Sequence, residues 1–219
     1  MEFIARYCNR LKMTKSDKDT LQTPLPVNLD TGGGADLALE SLAPDIQELA
    51  KKPGRVMCGD IDMRIDASGK WFYQGSIIGR KEMVKLFSTV LHRDDLGQFW
   101  LITPAEMARI KVEDAPFTAI EFLTAGAGED MNIQFRTNVG TFIDLDDEHP
   151  LRIEHKGASG EPRPYITVRS GLEALITRAS FYQMVNVSSE IETDEGSIVG
   201  VWSHGDFFPI GMIADVEIP

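Results

Sequence analysis

A near-repeat is the feature that most constrains what this chain can fold into. Residues 71–93 and 164–182 each combine a strand that carries aromatic residues, an arginine at the end of the strand (Arg80, Arg169) and an amphipathic segment. Apolar residues stand three and six positions after each arginine, as Met83 with Leu86 and Leu172 with Leu175. Repeats of this size usually form neighbouring units. The pattern predicts an α+β fold of two structurally related domains with repeated strand-turn-strand-helix motifs, although chance agreement between two common motifs stays open.

The length of the chain allows this organisation, because 219 residues suit either one large domain or two small ones. Residues 1–35 are predicted to be a flexible N-terminal segment, since a polar run is followed there by two prolines and a triple glycine. An N-terminal α+β domain is predicted over residues 36–109 and a C-terminal α+β domain over residues 110–219. Met1 and Met13 are both candidates for the start, and the sequence does not choose between them.

Spacing of the apolar residues predicts the elements around the repeat. Alternation with period two over 61–65 and 131–137 is typical of strands with one wet face, and residues 117–124 are also predicted to form a strand. Residues 80–91 place their apolar side chains three and four positions apart, which predicts an amphipathic helix.

Two further helical segments are predicted. One covers residues 172–182 and directs its apolar side chains inward: Leu172, Leu175, Ile176, Ala179 and Tyr182. The other is a short turn at Thr103, where a capping residue is followed by proline at the first helical position and by an acidic residue three positions on.

The charge balance excludes several classes of partner. A formal net charge of −12 argues against nucleic-acid binding and against a polybasic membrane contact, since both need a basic surface. The apolar runs are too short for a membrane span, and the first residues lack the apolar region of a secretory signal. Cys8 and Cys58 are too few for a disulfide framework. We therefore expect a cytoplasmic protein without a membrane span.

The sequence shows none of the familiar catalytic or metal-binding patterns. The four histidines have neither zinc spacing nor a cysteine partner, and residues 60–65 carry arginine and isoleucine where a calcium loop needs a ligand and glycine. No nucleophile-elbow motif occurs. We expect no catalytic residue, no metal ligand and no cofactor; an unrecognised enzyme is the least favoured alternative.

The arginines Arg80 and Arg169 are the residues that suggest a ligand. Both are expected at the start of a helix, where the positive end of the helix dipole disfavours a cation by roughly 0.3–1 kcal/mol. A bound phosphate or carboxylate would reverse that effect, because helix N-termini and guanidinium groups both favour anions. The alternative is that each arginine pairs with one of the 34 acidic residues.

Four segments in combination have the pattern of a known family. They are Trp-Phe-Tyr-Gln-Gly-Ser-Ile-Ile-Gly-Arg at 71–80, Val-Glu-Asp-Ala-Pro-Phe at 112–117, Thr-Asn-Val-Gly at 137–140 and Pro-Tyr-Ile-Thr-Val-Arg at 164–169. Across residues 53–187 the chain resembles an uncharacterised bacterial family, domain of unknown function 1285 (DUF1285). None of these motifs is catalytic, and residues 1–35 carry no resemblance.

The resemblance implies a fold and a site. It implies two domains with repeated motifs, of which the C-terminal one is a pleckstrin-homology-like sheet plus helix. It also implies a site for a nucleotide-like ligand at the interface of the domains and a role in bacterial signal transduction, with no enzymatic activity attached. By position, six polar residues are expected near that interface: Tyr73, Arg80, Arg93, Thr103, Arg169 and Arg178.

Two classes of function follow from these observations. The first is a non-catalytic protein that binds an anionic or nucleotide-like small molecule through arginines and an aromatic residue. The second is a protein–protein interaction module without a small ligand, in which a sheet edge or a groove takes a partner.

Overall fold

The computed structural model describes residues 41–156, 160–194 and 196–213. This part of the chain divides into two compact units. The first unit comprises residues 41–64 and 71–111, and the second comprises residues 65–70 and 112–213. The predicted N-terminal segment lies outside the described residues. Few of the described residues are helical, and most of the regular structure is strand.

The first unit is built on a six-stranded sheet. Its elements are α1 (Pro44–Ala50), β1 (Val56–Ile65), β2 (Trp71–Tyr73), β3 (Ser76–Ile77), α2 (Lys81–Thr89), β4 (Leu91–Arg93), β5 (Phe99–Ile102) and β6 (Glu106–Val112). The strand order is β3-β2-β1-β6-β5-β4. Helix α2 follows from its sequence, since Met83 and Phe87 lie four residues apart and are both buried.

Both helices of this unit bury side chains in its core. Ile46 of α1 is fully enclosed and clusters with Trp100 and Met107 of the sheet. Proline at the first position of α1 suits a helix start, because its fixed φ is helical and its missing N–H would have no partner there. On α2, Phe87 stacks on Trp71 with ring centroids 6.1 Å apart.

The second unit has a six-stranded sheet and a separate three-stranded one. Its elements are β7 (Phe117–Ala125), a 3-10 turn (Gly128–Asp130), β8 (Asn132–Thr137), β9 (Phe142–Asp144), β10 (Leu151–Lys156), β11 (Glu161–Arg169), β12 (Leu172–Ile176), α3 (Arg178–Asn186), β13 (Ser189–Thr193), β14 (Gly196–Ser203) and β15 (Asp206–Ile213). The larger sheet has the order β10-β11-β12-β7-β8-β9, and the smaller one has the order β13-β14-β15.

The two six-stranded sheets share one strand order. If the strands of each sheet are counted along the chain from one to six, both sheets read three-two-one-six-five-four. The central pair is parallel in the second unit, where β12 runs beside β7. It is also parallel in the first, because hydrogen bonds join the starts of β1 and β6 (Val56 N to Ala105 O, 2.8 Å) and their ends (Glu113 N to Ile65 O, 3.0 Å).

The helices occupy different places in these two sheets, so the predicted alignment of the repeat is wrong. Helix α2 connects the third and fourth strands of its sheet, whereas α3 follows the sixth strand. Arg80 stands immediately before α2, but Arg169 ends a strand that turns at Gly171 into another strand. The two arginines therefore do not correspond, and the relation between the units is one of strand order.

The predicted helix over residues 172–182 is replaced by a strand and a later helix. Leu172, Ala174 and Ile176 alternate as buried residues along β12, and α3 begins at Arg178. Gly171 has φ +71°, a left-handed conformation that closes the β11–β12 turn and that glycine adopts without steric cost. Tyr182, predicted to point inward, is 58% exposed.

Thr103 caps a strand turn rather than a helix. Its backbone N–H donates to the carbonyl of Glu106 (2.8 Å), and its hydroxyl accepts from the N–H of Glu106 (2.9 Å). Strand β6 begins at Glu106, so no helical turn forms. The threonine, proline and acidic residue predict a helix start, but threonine hydroxyls close tight turns by the same hydrogen bond.

Candidate functional site

A cavity in the second unit is the candidate site. It has a volume of about 230 Å³ and lies where β11 begins, β12 ends and α3 starts. Its lining consists of Glu161, Pro162, Arg163, Pro164, Leu175, Ile176, Thr177, Arg178, Phe181 and Tyr182. All of these residues belong to the second unit.

The cavity exists because β11 is longer than its neighbour β12. Pairing of the two strands runs from Tyr165 opposite Leu175 to Arg169 opposite Leu172, so residues 161–164 extend past the end of β12. Prolines at 162 and 164 remove two N–H groups that would otherwise need a strand partner. The chain then turns into α3, whose first turns face this overhang and complete the cavity.

Thr177 fixes the point at which α3 begins. Its side-chain oxygen accepts from the N–H of Ser180 at 3.4 Å, and its hydroxyl donates to the Ser180 hydroxyl at 3.0 Å. Threonine at this position satisfies one of the free N–H groups of the first helical turn. The cap places Arg178 at the first helical position, beside the cavity.

Arg178 forms an ion pair with Glu161 at the rim. The side chains are 68% and 57% exposed, respectively. Exposed pairs of this kind contribute about 0–1 kcal/mol, because water screens the charges and the side chains lose freedom when they pair. Arg178 can therefore exchange its partner at small cost.

Arg163, the second arginine of the lining, is held in place by contrast. It pairs with Asp114, and its Nε donates to the Tyr165 hydroxyl at 3.2 Å. The Tyr165 hydroxyl in turn donates to Asp114 Oδ1 at 2.9 Å, and the Asp114 side chain is only 11% exposed. The bond with Tyr165 and the charge of Asp114 raise the pKa of the Arg163 guanidinium. Arg163 acts as a fixed wall of the cavity.

Arg152 supports the Tyr165 ring from the neighbouring strand. Its guanidinium lies 4.4 Å from the ring centroid, within the range of a cation–π contact. It also donates two hydrogen bonds to Glu173, at 2.7 and 2.8 Å, and pairs with Glu154. These bonds, with that to Glu173 first, raise the pKa of Arg152. The residues Arg152, Glu154 and Glu173 thus form a connected charge network on the strands of the larger sheet.

The lining offers binding groups and no catalytic pair. It contains no cysteine, histidine or serine, and the hydroxyl of Thr177 is engaged in the helix cap. Glu161 is the only carboxylate of the lining and is paired with Arg178. A nucleophile with an adjacent base, which covalent catalysis needs, is not present among these ten residues.

The six residues expected from the sequence are divided between the two units. Arg178 lines the cavity, whereas Arg169 lies at the far end of β11, 5.8 Å from the Phe117 ring, where burial lowers the pKa of its guanidinium. The other four belong to the first unit. Tyr73 ends β2, Arg80 precedes α2, Arg93 ends β4 with its guanidinium 5.7 Å from the Phe99 ring, and Thr103 caps its turn.

Sequence reasoning did not find Arg163, Glu161 or Phe181 as site residues. The signals were an arginine between two prolines at 162–164 and a threonine before a helical run at 177. Neither signal locates a cavity, since the overhang of β11 depends on where β12 ends. The sequence pattern predicts the interior of a helix at that end.

The motif residues at 137–140 and 112–117 have structural roles. Asn138 donates to the carbonyl of Gly69 at 3.0 Å and accepts from the N–H of Thr118 at 3.2 Å. Glu113 accepts from the N–H of Ala67 at 3.1 Å. These bonds hold the turn at residues 65–70, which is part of the second unit.

The described residues contain other polar pairs outside the cavity lining. In the first unit, His92 Nε2 lies 2.9 Å from Asp45. Burial acts to raise the pKa of Asp45, but this hydrogen bond and backbone N–H groups bring the pKa below its ordinary value.

Within the described ranges, no three His, Cys, Asp or Glu side chains are grouped to hold a metal ion. None of the helices described is long and apolar enough to cross a membrane.

Comparison with protein families gives two adjacent matches. Residues 52–115 match the model "Domain of unknown function (DUF1285), N-terminal domain", and residues 116–210 match "Protein of unknown function (DUF1285), C-terminal domain". No curated protein matches the chain.

Two crystal structures are similar to this chain. A DUF1285 family protein from Silicibacter pomeroyi DSS-3 is 39% identical, with a TM-score of 0.66, and the match covers 79% of this chain and 97% of that one. A DUF1285 family protein from Shewanella baltica OS155 is 29% identical, with a TM-score of 0.47, and the match covers 57% of this chain and 91% of that one.

Proposed function

From the premise that this chain belongs to the DUF1285 family, we propose that it is a non-catalytic binding protein for an anionic small molecule. The observation that carries the proposal is the cavity of about 230 Å³ with an exchangeable arginine, Arg178, at its rim. An anion needs a cation that can leave its present partner, and an enclosed ligand needs apolar walls. Both occur together at this place.

The walls supply the hydrophobic part of the binding energy. Leu175 and Phe181 offer apolar surface beside the buried Ile176, and burial of such surface contributes about 25 cal/mol per Å² removed from water. Tyr182 stands beside them and is largely exposed, so its ring is accessible for stacking. A ligand with a flat or branched apolar body and one charged group fits this combination.

Three further properties that the family resemblance implies stay predictions. They are a nucleotide-like ligand, a position at the interface of the two domains and a role in bacterial signal transduction. The accessible Tyr182 ring supports a ligand that stacks, which includes nucleotides. The pleckstrin-homology-like character of the C-terminal domain also stays part of this proposal; its support is a strand-rich unit with a helix after the sixth strand.

Thermal unfolding in the presence of small anions tests the proposal. We expect one or more members of a panel of inorganic phosphate, AMP, GMP and phenylacetate to raise the melting temperature by roughly 5–10 °C at about a hundredfold excess over Kd, because a ligand that binds only the folded state stabilises it by mass action. Arg178→Ala should reduce the shift at the same ligand concentration, because the anion loses its ion pair.

Arg136→Ala is the matched control for this experiment. Arg136 lies on β8 and, like Arg178, pairs with an exposed glutamate, Glu121. It does not line the cavity. We expect it to leave the ligand-induced shift intact. A shift of equal size in wild type and Arg178→Ala, or no shift with any anion of the panel, would contradict the proposal.

A protein-interaction module is the second candidate, and one observation favours it. Leu123 of β7 and Phe142 of β9 share one face of the sheet by register and are 42% and 55% exposed. Exposed apolar groups on one face are typical of interaction surfaces. A partner whose stoichiometric binding is lost with Phe142→Ser and unchanged with Arg178→Ala would favour this function over the first.

A further inference from the structure

The polar groups of the cavity differ in how readily they can meet a ligand. Thr177 is engaged in the helix cap, and two nitrogens of Arg163 are engaged with Asp114 and Tyr165. Among the residues that the structure describes, the ion-pair partner of Arg178 is an exposed carboxylate, that of Glu161. One exchangeable cation accommodates one anionic group, so the remainder of the ligand meets apolar wall.

The size of the cavity limits what can enter. Sites that enclose a drug-sized ligand have volumes of about 300–1,000 Å³. The cavity here is smaller, at about 230 Å³, so a nucleotide would protrude from it. A body the size of one aromatic ring or one branched aliphatic chain is the better fit.

The charge of the protein limits the number of charges that the ligand can carry. The formal net charge of −12 disfavours the approach of polyanions, and a single rim cation does not offset two or more ligand charges. A ligand with one negative charge can form the ion pair with Arg178, and it is repelled less by the acidic protein than a ligand with two or more charges.

Glu161 shows which anion the rim accepts. Its carboxylate occupies Arg178 from a neighbouring position in the same lining, with the two side chains mostly in water. Guanidinium and carboxylate are geometrically matched hydrogen-bonding partners. A carboxylate from outside would form the same contact while also bringing an apolar body into the cavity.

We propose that the cavity binds small monocarboxylic acids with an apolar, aromatic or branched body, and that Glu161 is an internal competitor which the ligand carboxylate displaces from Arg178. The inference rests on the proposed function and narrows its ligand class. It makes Glu161 an inhibitory contact of the empty site, since removal of its charge frees Arg178 and also removes repulsion of the ligand.

Isothermal titration of the full chain with phenylacetate tests both parts. We expect Glu161→Gln to lower the Kd for phenylacetate by roughly two- to fivefold. This factor corresponds to the free energy that an exposed ion pair contributes. Arg178→Ala should raise the Kd for phenylacetate by about fivefold, because the ligand carboxylate loses its ion pair. Phenylacetamide, which has the same body without the charge, should bind far more weakly to wild type.

Glu121→Gln is the matched control. It makes the same change of net charge and also frees an arginine, Arg136, from an exposed pair, but it lies outside the cavity lining. We expect its Kd for phenylacetate to equal that of wild type. Circular dichroism and the melting temperature of each variant establish that it is folded.

The outcomes separate this inference from the proposed function. Binding of AMP but not phenylacetate, weakened in Arg178→Ala, overturns the inference and leaves the proposed function intact. Phenylacetate binding that is unchanged in Glu161→Gln, or equally tightened in Glu121→Gln, overturns the role of Glu161 as a competitor. If neither phenylacetate, AMP nor phosphate binds, both proposals fail.

Discussion

At the scale of single residues, Asn138 and Gly69 show how one side chain can fix a turn. The amide of Asn138 bonds to both the Gly69 carbonyl and the Thr118 N–H. Gly69 has φ +76°, and a Cβ added there would lie 2.8 Å from Asn138 Nδ2, so both the backbone conformation and the available space require glycine. The side chain and the turn are therefore matched to each other.

Asn138→Ala is predicted to lower the free energy of unfolding by about 1–3 kcal/mol, because it leaves a partly buried carbonyl and N–H without partners. Urea denaturation followed by circular dichroism measures the change. Asn132→Ala, on the exposed face of β8, is the control and should cost less than about 0.5 kcal/mol. Equal effects of the two substitutions would show that the Asn138 contacts contribute nothing.

The lining residues also show how much of the candidate site could be predicted from the sequence. Arg178 was expected as a ligand residue and lines the cavity, while Arg163 and Glu161 were not expected. Their role depends on the distance by which β11 extends past β12, a property of strand pairing rather than of local composition. Local patterns identify residue chemistry, but they do not show which residues tertiary structure brings together.

At the scale of elements, the sequence of strand β12 fits both the alternation of a strand and the spacing of a helix face. Leu172, Ala174 and Ile176 are the buried residues of β12, but Leu172, Leu175 and Ile176 also have the spacing of a helix face. Five residues are too few for periodicity to decide between the two. The helix α2 and the strands β7 and β8 were predicted because their patterns extend over more residues or have a sharper alternation.

An ion pair links the central strands β1 and β6 of the first unit. Arg109 donates to both carboxylate oxygens of Asp60, at 2.6 and 2.8 Å. This bond and the charge of Arg109 lower the pKa of Asp60, against the opposing effect of burial. A depressed pKa means that the pair stabilises the fold above the ordinary aspartate pKa of about 3.9 and that the stabilisation is lost as pH falls through the lower folded value.

Asp60→Asn is predicted to cost roughly 0.5–1 kcal/mol at pH 7, a modest value because the Asp60 side chain is 47% exposed and solvent screens the pair. The difference from wild type should shrink as pH falls below about 4 and vanish once pH lies below the lowered folded pKa of Asp60. Denaturation at a series of pH values measures it, with Asp62→Asn on the same strand as the control. A difference that does not depend on pH would contradict an electrostatic origin.

At the scale of the whole molecule, the shared strand order is the strongest relation between the two units. Both sheets consist of two three-stranded groups joined through a parallel pair of their first and sixth strands. The expectation of related units thus rests on topology, and the expected correspondence between Arg80 and Arg169 does not hold. The second unit adds a helix at the end of its sixth strand, and that addition forms one wall of the cavity.

Mapping of a bound monocarboxylate by amide NMR tests the central claim most directly. On titration of the full chain with phenylacetate, we predict that the largest shifts fall on amides of the cavity lining, above all Thr177, Arg178 and Tyr182, and that Arg178→Ala reduces them at the same ligand concentration. Amides of β8 serve as the internal reference and should stay unchanged. Shifts that cluster away from the cavity lining, or that are undiminished in Arg178→Ala, would contradict the claim that this cavity is the binding site.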